Sequence, residues 1–385
     1  MARLISIGGG AAAYTALMFV VYDKTRSAKW VSAALFFTWG AAGLLTPIGG
    51  MIADRFDRKR VMITSDLLGA ACFFGLALIH EPALLIAVAF VSAVAETPFW
   101  PASSAAIPNI AGEKHLSQAN AWLTGSRNLG VMLGPVVGGA MVASLGAGWI
   151  FVVNAITFVF SAGLVASVRA PFRSEEAGEY MSGLRVGLRF LLHEKVLLTI
   201  MVAWIVLVLG MGMCMVADLP LVYSYGAGSV GYGVLIACWG GGAVLGTVSG
   251  HWMNARNEGL FLFFGTVVMA VGTALVFFSP GLAVAVSFIL VAGIGDAATV
   301  VAEEGIRQRR TPDVIRSRVI SLSAAGWEVS FAFAVVLGGF VVDWLGAKAA
   351  YGVAGLLGGV AALILLPVLW TTRREAAAAE PPRAA

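Results

Sequence analysis

Gly50-Met51-Ile52-Ala53-Asp54-Arg55-Phe56-Asp57-Arg58-Lys59-Arg60 is a knot of charge between two apolar runs, Trp30–Ile52 and Val61–His80. Each run is long enough to cross a hydrocarbon core, which needs about 20 apolar residues. Four cations stand within the six residues Arg55 to Arg60. Charges at that density are costly inside a bilayer, so the knot reads as a tight turn on one face. Lys and Arg accumulate on the cytoplasmic side of membranes. The turn therefore points inward, and it orients every other segment.

Composition agrees. Of 385 residues, 59% are hydrophobic and only 12% charged, against about 25% charged in soluble domains. The mean hydropathy is +0.89. The chain is expected to be an integral membrane protein, with the lipid bilayer as its solvent. Its 47 glycines suit closely packed transmembrane helices. The net charge of +4 does not imply a nucleic-acid partner, because the basic residues sit in short loops between spans. Cys72, Cys214 and Cys238 all lie in apolar runs, which argues for free thiols rather than a disulfide framework. No His or Cys spacing indicates a metal site. No nucleophile–base set or phosphate loop appears either. Neither an enzyme nor a cofactor is expected.

Hydropathy predicts twelve spans, at about 4–22, 30–53, 61–80, 82–106, 121–145, 147–168, 196–219, 229–253, 260–279, 281–305, 318–341 and 347–370. The run Leu4–Tyr22 is read as span 1 rather than as a signal peptide. The expected organisation is an N-terminal six-helix bundle (1–168), a cytoplasmic linker with a surface helix (169–195), a C-terminal bundle (196–370) and a disordered cytoplasmic tail (371–385). With both termini inside, cytoplasmic segments hold 20 of the 25 Lys and Arg residues. The reversed orientation breaks the positive-inside bias. An internal repeat supports two halves: Trp39-Gly40, Leu45 and Gly50 recur as Trp239-Gly240, Leu245 and Gly250. Gly138-Gly139 and Gly146 recur as Gly338-Gly339 and Gly346, at the same offset of 200. Asp54 meets Asn254, and the second turn has lost most of its charge.

Gly50, Asp54, Arg55, Arg58, Lys59 and Arg60 resemble the signature turn between helices 2 and 3 of the major facilitator superfamily. Asp57 departs from the general pattern, which has Gly there, and resembles the macrolide-efflux and enterobactin-exporter branch. Pro101-Ala102, Pro108 and Ala119-Asn120-Ala121 resemble that branch too, as do Thr311-Pro312 and Arg318-Val319. The resemblance implies an all-α fold of two pseudo-symmetric six-helix bundles. It also implies that Asp54 closes an inner gate at the N-terminus of span 11, near Ser317–Val319, where the helix dipole favours an anion. Asp66 would brace the turn by pairing with Arg55 or Arg58. The plainer reading is a charge-rich loop that only orients insertion. Arg127 either joins this gate or snorkels to the surface.

Gly134-Pro135-Val136-Val137-Gly138-Gly139 resembles the helix-5 signature of exporters. Proline removes a backbone donor and kinks the helix, so Gly134, Pro135, Gly138 and Gly139 are hinge candidates. Ordinary small-residue packing gives the same sequence. Charges within spans usually mark substrate or ion pathways. Glu96, followed by a Thr97-Pro98 break, Asp296 and Glu328 are the proton-coupling candidates, since burial favours the neutral form of a carboxyl. A structural hydrogen bond is the alternative for each. Glu303 and Glu304, near Arg307, Arg309 and Arg310, read as a solvated ion-pair cluster. Gly10 stands where related exporters often have an acid.

The expectation is a multi-pass inner-membrane transporter, monomeric, that exports a small amphiphilic molecule in exchange for protons. A proton-coupled importer of a metabolite is the alternative on the same fold. A non-transporting scaffold or sensor is a further one, disfavoured by the intramembrane carboxylates.

Overall fold

A computed structural model describes residues 2–103, 106, 133–134, 137–169 and 180–378. These are helical almost throughout, and no strand occurs among them. Helix α1 is Ala2–Thr25. The second expected span is broken into α2 (Ala28–Leu35), a π-helical turn (Phe36–Ala41), α3 (Ala42–Leu44) and α4 (Thr46–Arg55). Pro47 stands in the first turn of α4, where a missing backbone N–H leaves no helical hydrogen bond unmade. Then come α5 (Arg58–Leu78) and α6 (Pro82–Glu96). After a turn at Thr97 and Pro98 the helix resumes, and the whole span Pro82–Ser103 is apolar enough to cross a membrane. Residues 137–145 are helical, followed by α7 (Ala147–Ser167).

A surface helix, α8 (Tyr180–His193), opens the second half. It is followed by α9 (Lys195–Ser224), α10 (Gly228–Thr247), α11 (Glu258–Leu275), α12 (Leu282–Arg310), α13 (Asp313–Leu345) and α14 (Ala347–Ala378). Nine helices among the described residues are long and apolar enough to cross a membrane. Several outlast their apolar windows, because a helix can project beyond the bilayer in polar turns that hydropathy does not register. This corrects three expectations. Helix α13 begins at Asp313, ahead of the expected Ser317–Val319. Helix α9 continues to Ser224. The tail from Thr371, expected to be disordered, is helical through Ala378, and Glu375 is ion-paired with Arg310.

The repeat is visible in the helix boundaries. Helices α2 and α10 begin at Ala28 and Gly228, α5 and α11 at Arg58 and Glu258. Helices α6 and α12 begin at Pro82 and Leu282, α7 and α14 at Ala147 and Ala347. Gly146 and Gly346 both take positive φ, at 82° and 88°, and each donates its N–H four residues back, to Val142 and Val342. Glycine alone reaches that backbone region without a steric penalty. Gly138 packs against the backbone of Ala12, and Gly338 against that of Met213, so both repeats use the same close approach.

Two compact units result, Met1–Gly178 with Val222–Ala237, and Glu179–Leu221 with Cys238–Ala385. The last residues of α9 join the first unit because Tyr223 packs on Phe19 and Tyr22 and donates to Asp23 Oδ1 at 3.1 Å. The first unit is centred on Phe73, which stacks on Phe158 at 5.6 Å and meets Tyr14 edge-on at 5.9 Å. The second is centred on aliphatic residues of α9, α11, α12 and α14, including Ile200, Leu207, Leu262 and Leu365. Trp344, Leu356 and Phe278 are left exposed, as lipid-facing side chains would be. All three cysteines are free.

Candidate functional site

The charged turn is built by specific contacts. Helix α4 ends at Arg55, whose guanidinium lies 5.9 Å from the Phe56 ring. Asp57 is the N-cap of α5, its Oδ1 accepting from the Arg60 N–H at 2.9 Å. Asp suits that position because its oxygen satisfies a backbone donor left open at a helix start. Lys59 donates to the Val168 carbonyl at 2.8 Å, placing a cation at the C-terminus of α7, where the helix dipole favours it. Arg58 is buried. Asp54 lies in the last turn of α4, but its side chain falls outside the described structure, as do Arg127 and Pro135. In the second repeat the turn is held by amides. Asn254 Oδ1 accepts from the Arg256 N–H at 2.9 Å, and the Asn254 N–H donates to Asn257 Oδ1 at 2.7 Å.

A polar cluster lies inside the first unit. Glu96 is the last residue of α6 before the Thr97-Pro98 break. Ser92, one turn earlier, donates to its Oε1 at 3.0 Å. Tyr14 of α1 lies beside the same carboxylate. Asp66 of α5 is only 1% exposed and lies close enough to Glu96 for the two carboxylates to interact. Sequence reasoning gave these acids separate tasks, Asp66 in the gate and Glu96 in coupling. Folding brings them together because α5 and α6 run antiparallel, so residues at equal depth meet. Gly49 makes the site compact: a Cβ there would stand 2.7 Å from the Thr97 carbonyl carbon.

Of the hinge candidates, Gly134 is buried and helical. Gly138 lies on the Ala12 backbone of α1, and Gly139 on the backbone of Ser229 and Gly233 of α10, within the same unit. Their glycines therefore serve close helix approach. In the second unit, Asp296 stands 200 residues after Glu96. It is half-buried in α12 and makes no hydrogen bond or ion pair among the described residues. The correspondence of Glu96 and Asp296 was available from the repeat offset. Glu328 is half-buried in α13.

Two buried acids escaped the sequence reading, Glu258 at the start of α11, which is ion-paired with Arg309, and Asp218. Asp218 of α9 is 5% exposed and accepts a hydrogen bond from the hydroxyl of Tyr351 in α14. The expected span 196–219 holds Asp218 one residue from its end, and nothing in the sequence reading singles it out there. The helix runs five residues further.

The second unit also holds a cavity of about 280 Å³ among α9, α12 and α13, lined by Trp204, Met201, Glu303, Arg307, Ser323 and Trp327 among others. Glu303 was expected in a solvated cluster, yet its side chain is 14% exposed and that of Arg307 19%, the two paired at 3.0 Å. Arg307 also pairs with Glu304. Only Glu304 keeps the surface character expected of both.

The sequence model of the Major Facilitator Superfamily matches residues 2–302 and 234–385. The chain belongs to that superfamily. Among its relatives, this major facilitator is 26% identical over 394 residues to the enterobactin exporter EntS of Salmonella typhimurium, covering 97% of this chain and 92% of the relative. It is 24% identical over 323 residues to the putative bacilysin exporter BacE of Bacillus subtilis, covering 82% and 80%. In structure it resembles the nucleoside transporter NupG, with a TM-score of 0.78 at 12% identity over 96% of this chain and 97% of that one. The superfamily fold, two six-helix bundles in a membrane, is therefore the fold of this chain.

Proposed function

We propose that this major facilitator is a proton antiporter of the inner membrane, with both termini cytoplasmic, that exports a small amphiphilic molecule as a monomer. One observation carries the reading: Glu96, at a helix break, gathers Ser92, Tyr14 and Asp66 from three helices. Two carboxylates sharing a buried site do not ionise independently, so the pair can hold one proton and release it when its surroundings change. Asp296 occupies the repeat-equivalent place in the other unit, and Glu328 is a third candidate. Sequence kinship with two exporters favours outward transport.

In the proposed cycle, a proton taken up from outside neutralises the cluster and releases substrate. Loss of the proton inside resets the inward-facing state. The turn with Asp54, Arg55, Arg58 and Asp66, together with Arg127, is assigned to the inner gate, and Gly134, Pro135, Gly138 and Gly139 to the rocking of helix 5. The test is accumulation of a panel of fluorescent amphiphiles in a pump-deficient bacterial host, with and without a protonophore. Lower accumulation that the protonophore reverses supports the reading. Protonophore-insensitive depletion, or uptake, rejects it.

A further inference from the structure

The cavity beside Glu303 is not used by the proton cycle, and its chemistry is specific. Its walls are mostly apolar, with Glu303 and Arg307 as the charged pair and Ser323 and Trp204 as further polar groups. Arg307 is shared, through one terminal nitrogen with Glu303 and through the other with Glu304. Gln308 donates to Glu304 at 2.7 Å but carries no charge. Glu304 lies outside the cavity lining with its side chain 37% exposed, so Glu303 is the acid on the wall and the guanidinium that neutralises it is divided between two carboxylates. The Nε of Arg307 is buried with no hydrogen-bond partner among the described residues. The indole Nε1 of Trp204, near Glu303, is likewise buried with no hydrogen-bond partner among the described residues. Buried donors left open in this way call for an acceptor.

The two aromatic walls add a second requirement. Trp327 stacks flat on Phe331, with centroids 5.2 Å apart and planes at 2°, which fixes its ring. Trp faces attract cations as well as apolar groups. Every group in this constellation lies within the second unit.

We infer that this cavity binds an amine-bearing amphiphile whose ammonium pairs with Glu303 and whose neighbouring oxygen accepts from Arg307 Nε or Trp204. Its ring or short aliphatic body lies between Trp204 and Trp327. The role of such binding in transport rests on the export reading; the binding itself does not.

The test uses the full chain in phosphatidylcholine nanodiscs and isothermal titration calorimetry, with empty nanodiscs subtracting partition into lipid. The probe is propranolol, an aryloxy amino alcohol. Its control is the diol analogue, in which a hydroxyl replaces the amine. Saturable binding of the amine, about tenfold tighter than the diol, is expected, equivalent to about 1.4 kcal/mol. Glu303→Gln should bring the amine to the level of the diol. Ser323→Trp, which fills the cavity, should remove both. Equal binding of amine and diol by the wild type, no saturable binding, or a preference that survives Glu303→Gln overturns the assignment. If Glu303→Gln fails to fold, Glu303→Asp should keep the preference while Ser323→Trp abolishes it. Binding without any export in cells would reject the export reading and leave this one standing.

Discussion

Ser92 Oγ donates to Glu96 Oε1 at 3.0 Å, one turn before the helix breaks at Thr97-Pro98. The bond fixes one oxygen of a carboxylate that has Tyr14 beside it and Asp66 near enough to interact electrostatically. If this cluster carries the coupling proton, Glu96→Gln removes the titrating group while keeping shape and hydrogen bonds. Protonophore-sensitive efflux should fall to the level of cells without the protein, at unchanged expression. Ser92→Ala should weaken transport without abolishing it, since it leaves the titrating group and removes one hydrogen bond to a charged group, which contributes about 1.5–3 kcal/mol at most. Full proton-linked efflux in Glu96→Gln would exclude Glu96 from coupling.

Adjacent glycines in α1 should respond differently to the same change. A Cβ on Gly9 would stand 2.6 Å from Asn154 Oδ1, in a buried position, whereas a Cβ on Gly10 meets nothing within 4 Å. Gly9→Ala should destabilise by about 1–3 kcal/mol, the usual range for overpacking. Gly10→Ala should be neutral or stabilise by about 0.5–1 kcal/mol, because alanine loses less backbone freedom in a helix. Thermal unfolding of the detergent-purified variants separates them. Equal midpoints would show that α1 does not pack on α7 as described.

These contrasts mark what the sequence could and could not convey. The charged turn and the 200-residue repeat were legible because each depends on local chemistry: charge cannot enter lipid, and a glycine at positive φ has few substitutes. The role of Asp57 as N-cap was readable in principle from its place before α5. The meeting of Asp66 with Glu96, and of Asp218 with Tyr351, was not. Those pairs come from different helices, and hydropathy records how apolar a segment is but not which face meets which neighbour. Helix ends were misjudged for a related reason, since α9, α13 and α14 continue where the bilayer signal stops.

The repeat itself can be tested at Gly346. Its φ of 88° is strained for any side chain, although a Cβ would meet no neighbour. Gly346→Ala should therefore destabilise through the backbone alone, by about 1–3 kcal/mol. Gly359, in the middle of α14 and equally uncrowded, has no such conformation. Gly359→Ala should be neutral or slightly stabilising, by up to about 1 kcal/mol. Gly146→Ala should match Gly346→Ala within experimental error. A large difference between those two would mean that the repeats do not share this corner.

Asp218 and Tyr351 offer the clearest separation of structure from coupling. Both are buried, and the tyrosine hydroxyl donates to the carboxylate. Tyr351→Phe leaves the acid buried without that donor, which should lower stability by about 1–3 kcal/mol or more if the acid is charged. Asp218→Asn keeps an acceptor oxygen for the tyrosine and removes the titrating group. If the pair only ties α9 to α14, Asp218→Asn should transport normally and unfold near the wild-type temperature, while Tyr351→Phe unfolds early. Were Asp218→Asn stable but unable to sustain protonophore-sensitive efflux, Asp218 would join Glu96 and Asp296 as a candidate for proton coupling. Measuring unfolding and efflux on the same two variants decides between these roles, because only the coupling role predicts a loss of transport without a loss of fold.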